Sequence, residues 1–280
     1  MVVIAENQFT MPELAKTTDH LCRKFSFRKP PERIVSLVPS ISELIWDLGM
    51  EKELVGITRF CVNPREMFKT KTRVGGTKEI KMDRLNKASP DLIVANKEEN
   101  TREMVGELEK QYPVYVTDVC DFESALKMIE DVAALCNKEK KGFAISKKIR
   151  EECDYYKSDF KFGKQSGPRV AYLIWKDPWM TVGGDTFVSE MLRLAGFENV
   201  FGNQKRYPET SLEELRAMQT DYLFLSSEPF PFREKHVVEI QETLPDTRIE
   251  LVDGEMFSWY GTRLLRSFDY FRNLKNRLSF

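Results

Sequence analysis

Residues 33–49 read RIVSLVPSISELIWDLG and residues 169–196 read RVAYLIWKDPWMTVGGDTFVSEMLRLAG, and the two stretches share one order of features. Each begins with an arginine, continues as an apolar run and a loop, and then has a Ser-Glu pair that opens an amphipathic segment ending in glycine. Short apolar runs predict buried strands, and glycine after an amphipathic segment predicts the end of a helix. The pair therefore predicts a strand–loop–helix unit that occurs twice.

Two further blocks follow each stretch in the same order. The first is a helical segment leading into a strand that begins with aspartate, at residues 82–96 and 211–227. The second is a strand that ends in aspartate, at residues 112–118 and 247–253. Strands that alternate with helices form βαβ units with a mainly parallel sheet. We therefore predict an α/β fold with two similar lobes, each with its own mainly parallel sheet.

The segment between the halves has apolar residues at helical intervals. A continuous helix of about 40 residues would be roughly 60 Å long, and the polar stretch at residues 138–142 is the point where it could break. We predict an N-terminal extension at 1–32, the first lobe at 33–120, the connecting helix at 121–162 and the second lobe at 163–280, with a linker at its start. The extension contains the strand-like runs VVIA and FSF, which would add an edge strand or cover the first lobe.

Composition excludes several classes of function. The chain has 280 residues, and its 43 basic against 44 acidic side chains leave a formal net charge of -1. A general nucleic-acid-binding protein needs a surplus of clustered cations, so this class is excluded. No motif of the phosphate-loop, serine-hydrolase or zinc-protease type is present, so no catalytic site is predicted. For the two histidines, His20 and His236, a surface or capping role is the favoured interpretation.

Cysteine usage and the N-terminal residues bear on location. The five cysteines are isolated in sequence, and their odd number fits a reducing compartment better than a disulfide framework. The first residues contain no basic segment followed by an apolar run of signal-peptide length, and no stretch approaches the roughly 18 apolar residues of a membrane span. From sequence alone we expect a cytoplasmic protein without a membrane span.

The predicted strands end in loops rich in aromatic and charged residues, at the edge where ligands of open α/β sheets bind. For Trp175 and Trp179, packing of a strand–loop corner is an equally good interpretation. Trp259 and Tyr260 are neighbours that are hard to bury together, which favours ligand contact. The glycine pairs of GGTK (75–78) and GGDT (183–186) are interpreted as tight-turn glycines rather than phosphate-binding nests.

The blocks RIVSLVPSISELIWDLG (33–49), VGGTKEIKMDRLNKASPDLIVANKEEN (74–100) and TVGGDTFVSEMLRLAGFENVF (181–201) resemble the helical-backbone, or class III, substrate-binding proteins of ABC importers, in particular the cobalamin and iron–siderophore group. The resemblance implies two Rossmann-like lobes joined by a single long helix, with a ligand cleft between the lobes and no catalysis. It also implies a periplasmic or lipid-anchored protein, in contrast to the cytoplasmic location expected from the cysteines and the N-terminal residues. The implied ligand is a metal chelate or corrinoid, with no intrinsic cofactor. A bare metal ion is not expected, because the chain lacks the histidines of the zinc and manganese receptors.

By position, the resemblance places twelve residues along this cleft. They are Ser40, Arg59, Phe60, Thr77 and Lys97 on one side, and Trp175, Trp179, Asp185, Glu228, Phe230, Trp259 and Tyr260 on the other. One acid on each lobe, Asp83 and Glu213, would dock on an ABC permease; Asp83 is shorter than the usual glutamate, and a solvated helix face is the alternative for both.

Two other functions remain open at this point. One is a cytoplasmic enzyme or sensor that acts on a corrinoid or chelate in the same cleft, with Glu98, Glu228 or Asp185 as the acid–base groups. The other is a protein–protein module whose aromatic loops contact a partner.

Overall fold

The structure is a computed structural model, and it describes residues 15–27, 29–159 and 167–279. Its contacts divide the chain into two compact units. The first unit comprises Met1–Asp118 and Glu130–Gly142, and the second comprises Val119–Ile129 and Phe143–Phe280. The run VVIA at residues 2–5 lies outside the described residues, and so does the first part, 163–166, of the linker predicted at 163–169.

The first unit contains an antiparallel hairpin and a five-stranded parallel sheet. The hairpin strands are β1 (Ala15–Thr18) and β2 (Lys24–Phe27). The sheet strands are β3 (Ile34–Ser36), β4 (Leu54–Thr58), β5 (Thr72–Gly75), β6 (Leu92–Asn96) and β7 (Val114–Thr117), in the order β5-β4-β3-β6-β7. Successive sheet strands are connected by α1 (Pro39–Asp47), α2 (Arg65–Thr70), α3 (Met82–Ala88) and α4 (Arg102–Glu109).

Two helices follow, α5 (Phe122–Leu135), which has residues in both units, and α6 (Glu139–Asp159). The second unit has the parallel strands β8 (Arg169–Leu173), β9 (Glu198–Asn199), β10 (Tyr222–Ser226) and β11 (Arg248–Val252), in the order β11-β10-β8-β9. Its other helices are α7 (Phe187–Leu194), α8 (Leu212–Ala217), α9 (Glu234–Thr243), α10 (Glu255–Ser258) and α11 (Leu264–Leu278). The order β9-β8-β10-β11 repeats β4-β3-β6-β7, so the predicted α/β fold with two parallel sheets is confirmed.

The repeated arginine and aspartate make the same hydrogen bonds in both units. The backbone N–H of Arg33 donates to Oδ1 of Asp91 at 2.9 Å, and that of Arg169 donates to Oδ2 of Asp221 at 2.7 Å. In each pair the N–H of the aspartate donates back to the carbonyl oxygen of the arginine, at 2.9 Å in both units. This reciprocal pair joins the start of one strand to the start of its neighbour, which explains why both residues recur.

The structure has two helices, α5 and α6, in place of the predicted single connecting helix. Helix α5 is followed by Asn137, which adopts the left-handed conformation with φ of 54°. The N–H of Asn137 donates to the carbonyl oxygen of Ala134 at 3.0 Å, and the N–H of Lys138 donates to that of Ala133 at 2.7 Å. These two bonds form a Schellman motif, which ends helices, and asparagine tolerates the left-handed conformation. The break therefore falls just before the polar stretch at 138–142.

The hairpin covers the outer edge of β7 and does not join the parallel sheet, although its FSF run does form strand β2. The carbonyl oxygen of Val116 accepts the N–H of His20 at 3.1 Å, and the N–H of Val116 donates to Asp19 at 3.3 Å. The guanidinium of Arg23 donates to the carbonyl oxygen of Val114 at 2.9 Å. The turn of the hairpin thus provides partners for backbone groups that an edge strand leaves open.

Each unit has its own apolar core, made by the strands and the helices that cover them. Fully burying one aliphatic side chain stabilises the fold by about 1.5–3 kcal/mol, and several come from each strand of the repeat. In the first unit they include Val35, Leu85, Ile93 and Val116, and in the second Ala171, Leu173, Leu215, Leu223 and Ile240. Within the described ranges, no helix combines the length and the apolar character that crossing a membrane requires.

Candidate functional site

The five predicted ligand residues of the first unit all follow a strand of its parallel sheet. Ser40 is the second residue of α1, Arg59 and Phe60 follow β4, Thr77 follows β5, and Lys97 follows β6. Because the strands are parallel, their carboxyl ends share one edge of the sheet, where open α/β folds bind ligands. The topology therefore brings these five residues to one edge of the unit.

An arginine and an aromatic ring form the most open feature of this edge. The guanidinium of Arg59 lies 4.9 Å from the ring centroid of Phe60, and the phenyl side chain is 46% exposed. The N–H of Arg59 donates to the carbonyl oxygen of Gly75 at 2.8 Å, which fixes the backbone of this loop on β5. Such a pair offers a ligand a cation and an aromatic face together. By contrast, Nζ of Lys97 is ion-paired with Asp118 at 2.6 Å.

Two asparagines that the sequence reasoning did not single out shape the next loop. The side-chain oxygen of Asn100 accepts the N–H of Asn96 at 2.9 Å, and its amide donates to the carbonyl oxygen of Thr77 at 2.8 Å. Both asparagines are buried. Burial also raises the pKa of Glu99 above its usual value, against the influence of Lys78. The sequence signal for this network is the NKEEN run itself, in which polar residues directly follow a buried strand.

The second unit places an aromatic cluster at the carboxyl edge of its sheet. Trp175 and Trp179 follow β8, and Phe230 follows β10. The rings of Trp175 and Phe230 are 5.7 Å apart, and Trp179 stacks on Phe232 at 6.2 Å. Both tryptophans therefore pack a strand–loop corner, as the alternative interpretation proposes, but Trp175 remains 40% exposed. This leaves one large aromatic face of the second unit open to solvent.

Glu228 is held by the residues that follow β11. Its Oε1 accepts the indole N–H of Trp259 at 2.9 Å and the hydroxyl of Ser258 at 2.5 Å. The carboxylate therefore fixes the loop after α10 to the loop after β10.

Trp259 and Tyr260 are both buried, with exposures of 6% and 5%, which differs from the expectation that the pair is hard to bury. The guanidinium of Arg263 lies 4.9 Å from the indole ring of Trp259, and Phe187 meets Tyr260 edge to face at 5.6 Å. Arg263 is itself buried and ion-paired with Glu255 at 2.8 Å. The side chains that bury Trp259 and Tyr260 come from other elements of the same unit, so this burial could not be predicted from the two residues alone.

Asp185 lies in the loop before α7, and the glycines beside it permit close backbone approach. Oδ1 of Asp185 accepts the N–H of Arg206 at 2.6 Å. A Cβ atom on Gly184 would lie 2.0 Å from the carbonyl oxygen of Gly202, and one on Gly183 would lie 2.5 Å from that of Gln204. Only glycine fits at such distances, so the interpretation of this pair as turn glycines is confirmed.

The sequence of the chain also identifies its family. Residues 34–244 match the family model described as periplasmic binding protein. The chain belongs to the periplasmic binding protein family. This family consists of solute-binding proteins that carry out no catalysis, so the prediction that the chain is not an enzyme is confirmed by its membership.

Relatives and solved structures agree with this family. The chain is 28% identical over 201 residues to a vitamin B12-binding protein of Vibrio parahaemolyticus, covering 71% of this chain and 72% of that one. It is 26% identical to an uncharacterised ABC transporter substrate-binding lipoprotein of Bacillus subtilis, covering 70% and 64%. In fold it is similar to the vitamin B12-binding protein of Vibrio cholerae, with a TM-score of 0.73, 18% identity and coverage of 88% and 98%. A periplasmic heme-binding protein in complex with two hemes gives a TM-score of 0.75 at 22% identity, with coverage of 88% and 97%.

The two acids expected to dock on a permease occupy matching positions in this family member. Asp83 is the second residue of α3 and Glu213 the second residue of α8, the helices that lead into β6 and β10. Both side chains are exposed. Hydrogen bonds from its own backbone N–H and from Ser211 hold the pKa of Glu213 below its usual value, so this side chain is charged at neutral pH.

The histidines have structural partners. The ring of His236 accepts the backbone N–H of Arg233 at the start of α9, at 2.9 Å, so the capping interpretation is confirmed for this residue. Nδ1 of His20 lies 2.8 Å from the carbonyl oxygen of Asp118, and Nε2 lies 3.2 Å from the carboxylate of Asp131. Across the described ranges, no three His, Cys, Asp or Glu side chains are grouped so that they could hold a metal ion.

Proposed function

We propose that the protein binds a metal chelate or corrinoid, of cobalamin-like or iron–siderophore-like type, and delivers it to an ABC permease. The observation that carries this proposal is the pairing of exposed aromatic rings with a cation at the carboxyl edges, above all Arg59 with Phe60. Family membership supports it, since relatives of the chain are named vitamin B12-binding proteins.

The chemistry of such ligands matches these side chains. A corrin or a heme presents a flat apolar face, and aromatic side chains bury large areas against such faces. Carboxylates, phosphates or hydroxamates at the rim of a chelate are matched by the planar guanidinium of Arg59. The metal arrives inside the chelator, so the protein needs no cluster of metal-ligating side chains of its own.

The twelve predicted residues divide by their surroundings into two groups. We propose that Arg59, Phe60, Thr77, Trp175 and Asp185 contact the ligand through exposed or partly exposed atoms. The buried or internally bonded members act as supports, because their contacts position the others. These supports are Ser40, Lys97, Trp179, Glu228, Phe230, Trp259 and Tyr260.

The free cysteines favour a reducing compartment as a second proposal, and in that location the protein would act as a carrier or sensor of the chelate rather than deliver it to a permease. All five cysteines are free, with Cys22 and Cys120 exposed to solvent. Alkylation of all five thiols after unfolding in denaturant, without prior reduction, would support this location, and a disulfide would contradict it.

Equilibrium binding of three coloured ligands, cyanocobalamin, hemin and ferrichrome, tests the function. We expect saturable binding of at least one, followed by tryptophan fluorescence and by absorbance of the ligand. The Trp175→Ala variant removes an exposed aromatic face and should weaken that binding by about tenfold or more. Phe143→Ala is the matched control, because Phe143 is a 62% exposed aromatic residue on α6, remote in sequence from either edge.

The outcomes separate the alternatives. Failure of the wild-type protein to bind any of the three chelates would count against the proposed function and favour a protein–protein module. Equal affinities of the Trp175→Ala and wild-type proteins would remove Trp175 from the site. Chemical change of a bound ligand, followed by mass spectrometry, would point to an enzyme instead.

A further inference from the structure

The first unit has a cavity that is lined by basic side chains. Its volume is about 620 Å³, which is within the range of small-molecule pockets. Six of the residues that line it are basic and none is acidic. The six, which we call the basic basin, are Arg33, Lys52, Lys71, Arg73, Arg84 and Lys87.

The basic basin begins at the end of the sheet opposite the predicted ligand residues. Arg33 directly precedes β3, Lys52 lies just before β4, and Lys71 directly precedes β5. The amino ends of parallel strands share one edge, whereas Arg59 and Lys97 follow the carboxyl ends. Helix α3 adds Arg84 and Lys87, which lie one turn apart. The basin therefore opens at the opposite end of the sheet from Arg59, and it does not depend on the chelate-binding function. Arg73 and Arg84 also line a smaller neighbouring cavity that reaches Arg59.

Backbone carbonyl groups hold the three guanidinium groups in place. Arg33 donates to the carbonyl oxygen of Ala88 at 2.5 Å, Arg73 donates to that of Phe68 at 2.7 Å, and Arg84 donates to that of Arg73 at 3.1 Å. A carbonyl group orients a guanidinium without cancelling its charge. Each arginine also keeps donors in excess of these bonds, because a guanidinium has five N–H groups.

The positive charge of the basic basin is not balanced by ion pairs. Across residues 15–27, 29–159 and 167–279, none of its six basic side chains forms a salt bridge to a carboxylate. Burial lowers the pKa of Lys71 below its usual value, even though Glu51 and Glu53 act in the opposite direction. A multivalent anion would supply the negative charge that these six side chains lack as ion-pair partners.

We propose that the basic basin binds a small phosphate-rich anion, in which two or three linked phosphoryl groups meet the fixed guanidinium groups and the lysines. Arginine forks match the oxygen atoms of phosphate in pairs, and lysine adds point charges. Thr70 and Thr72 also line the cavity. Its limited volume fits a compact anion, and the near-neutral chain does not fit a nucleic-acid polymer.

Isothermal titration calorimetry of the full chain with inorganic tripolyphosphate tests the proposal. We expect one saturable site. The Arg84→Gln/Lys87→Gln variant should bind about tenfold more weakly or worse, because it removes two charge-assisted contacts. The matched control is Lys140→Gln/Lys148→Gln, which removes the same charge from exposed positions of α6. Lys52→Gln is a second basin variant; it lies in the turn before β4 and therefore changes no helix residue.

Further ligands identify the chemistry. If ATP binds as tightly as tripolyphosphate, the basin recognises the phosphate chain both in a nucleotide and in a free anion. Citrate of equal affinity would overturn the assignment to phosphate. The proposal also fails if tripolyphosphate gives no saturable heat, if the basin variants bind like the wild type while folded by circular dichroism, or if the control variant loses as much affinity as they do.

Discussion

At the start of α9, His236 and Arg233 form a reciprocal pair that requires an uncharged imidazole. Nδ1 of His236 accepts the N–H of Arg233 at 2.9 Å, and the N–H of His236 donates to the carbonyl oxygen of Arg233 at 2.8 Å. Burial lowers the pKa of His236 below its usual value, and the nearby Lys235 and Lys176 act in the same direction. The folded protein therefore binds this proton less readily than the unfolded chain does.

Acidification should therefore destabilise the protein through His236. The neutral ring contributes its stability above the unfolded pKa of about 6.5, and that contribution is lost as the pH falls through the lower folded pKa. Thermal unfolding between about pH 7.5 and about pH 5.5 measures the effect. His236→Asn keeps an acceptor that does not titrate, so its transition temperature should fall by a few degrees less than that of the wild type. Parallel profiles for the two proteins would contradict this role.

Among the elements, the end of α5 depends on one residue in the left-handed conformation. Asn137 has φ of 54°, and its Schellman bonds hold the turn before α6. Asn137→Ala should destabilise the protein by about 1 kcal/mol, because asparagine tolerates the left-handed conformation through local hydrogen bonding of its short polar side chain and alanine does not. Asn137→Gly is the matched control and should be neutral or stabilising. The midpoint of urea unfolding reports both; if alanine and glycine give the same midpoint, the turn does not limit stability.

How well an element could be predicted depended on how it is buried. β6 and β10 are continuous apolar runs between helices, so DLIVA and DYLFLSS identified them directly. β9 has only two residues and β5 is largely exposed on the edge of the sheet, so neither carries a distinct pattern. The polar stretch at 138–142 marked where the connecting helix could break, but the last residue of α5 could not be predicted, because the conformation of Asn137 is set by backbone bonds.

At the scale of the whole molecule, the sequence predicted the place of each residue in the fold better than the surroundings of its side chain. All twelve residues follow strands at the carboxyl edge of their own sheet, because the strands of each sheet are parallel. The burial of Trp259 depends on Glu228, 31 positions earlier, and on Arg263. Contacts of that separation leave no local pattern, so single residues could not be assigned to ligand contact or to support.

The matched positions of Asp83 and Glu213 lead to a prediction for the whole transporter. We expect Asp83→Asn/Glu213→Gln to bind membranes that contain the cognate permease at least tenfold more weakly, since each change removes one partner of a charge pair. Ligand affinity should be unchanged. Glu103→Gln/Glu234→Gln is the matched control, because both glutamates are exposed in the first turn of a helix, one in each unit. Cosedimentation with native membranes measures the binding, and equal losses in both variants would exclude a specific role.

The hairpin that covers β7 has a consequence for how the chain avoids self-association. The match to the family model begins at residue 34, after the hairpin. Asp19, His20 and Arg23 occupy the backbone groups that a second copy of β7 would otherwise extend into an intermolecular sheet. These residues therefore prevent the addition of a further strand to β7. A chain that begins at residue 34 would expose the edge of β7, and we expect it to aggregate more readily.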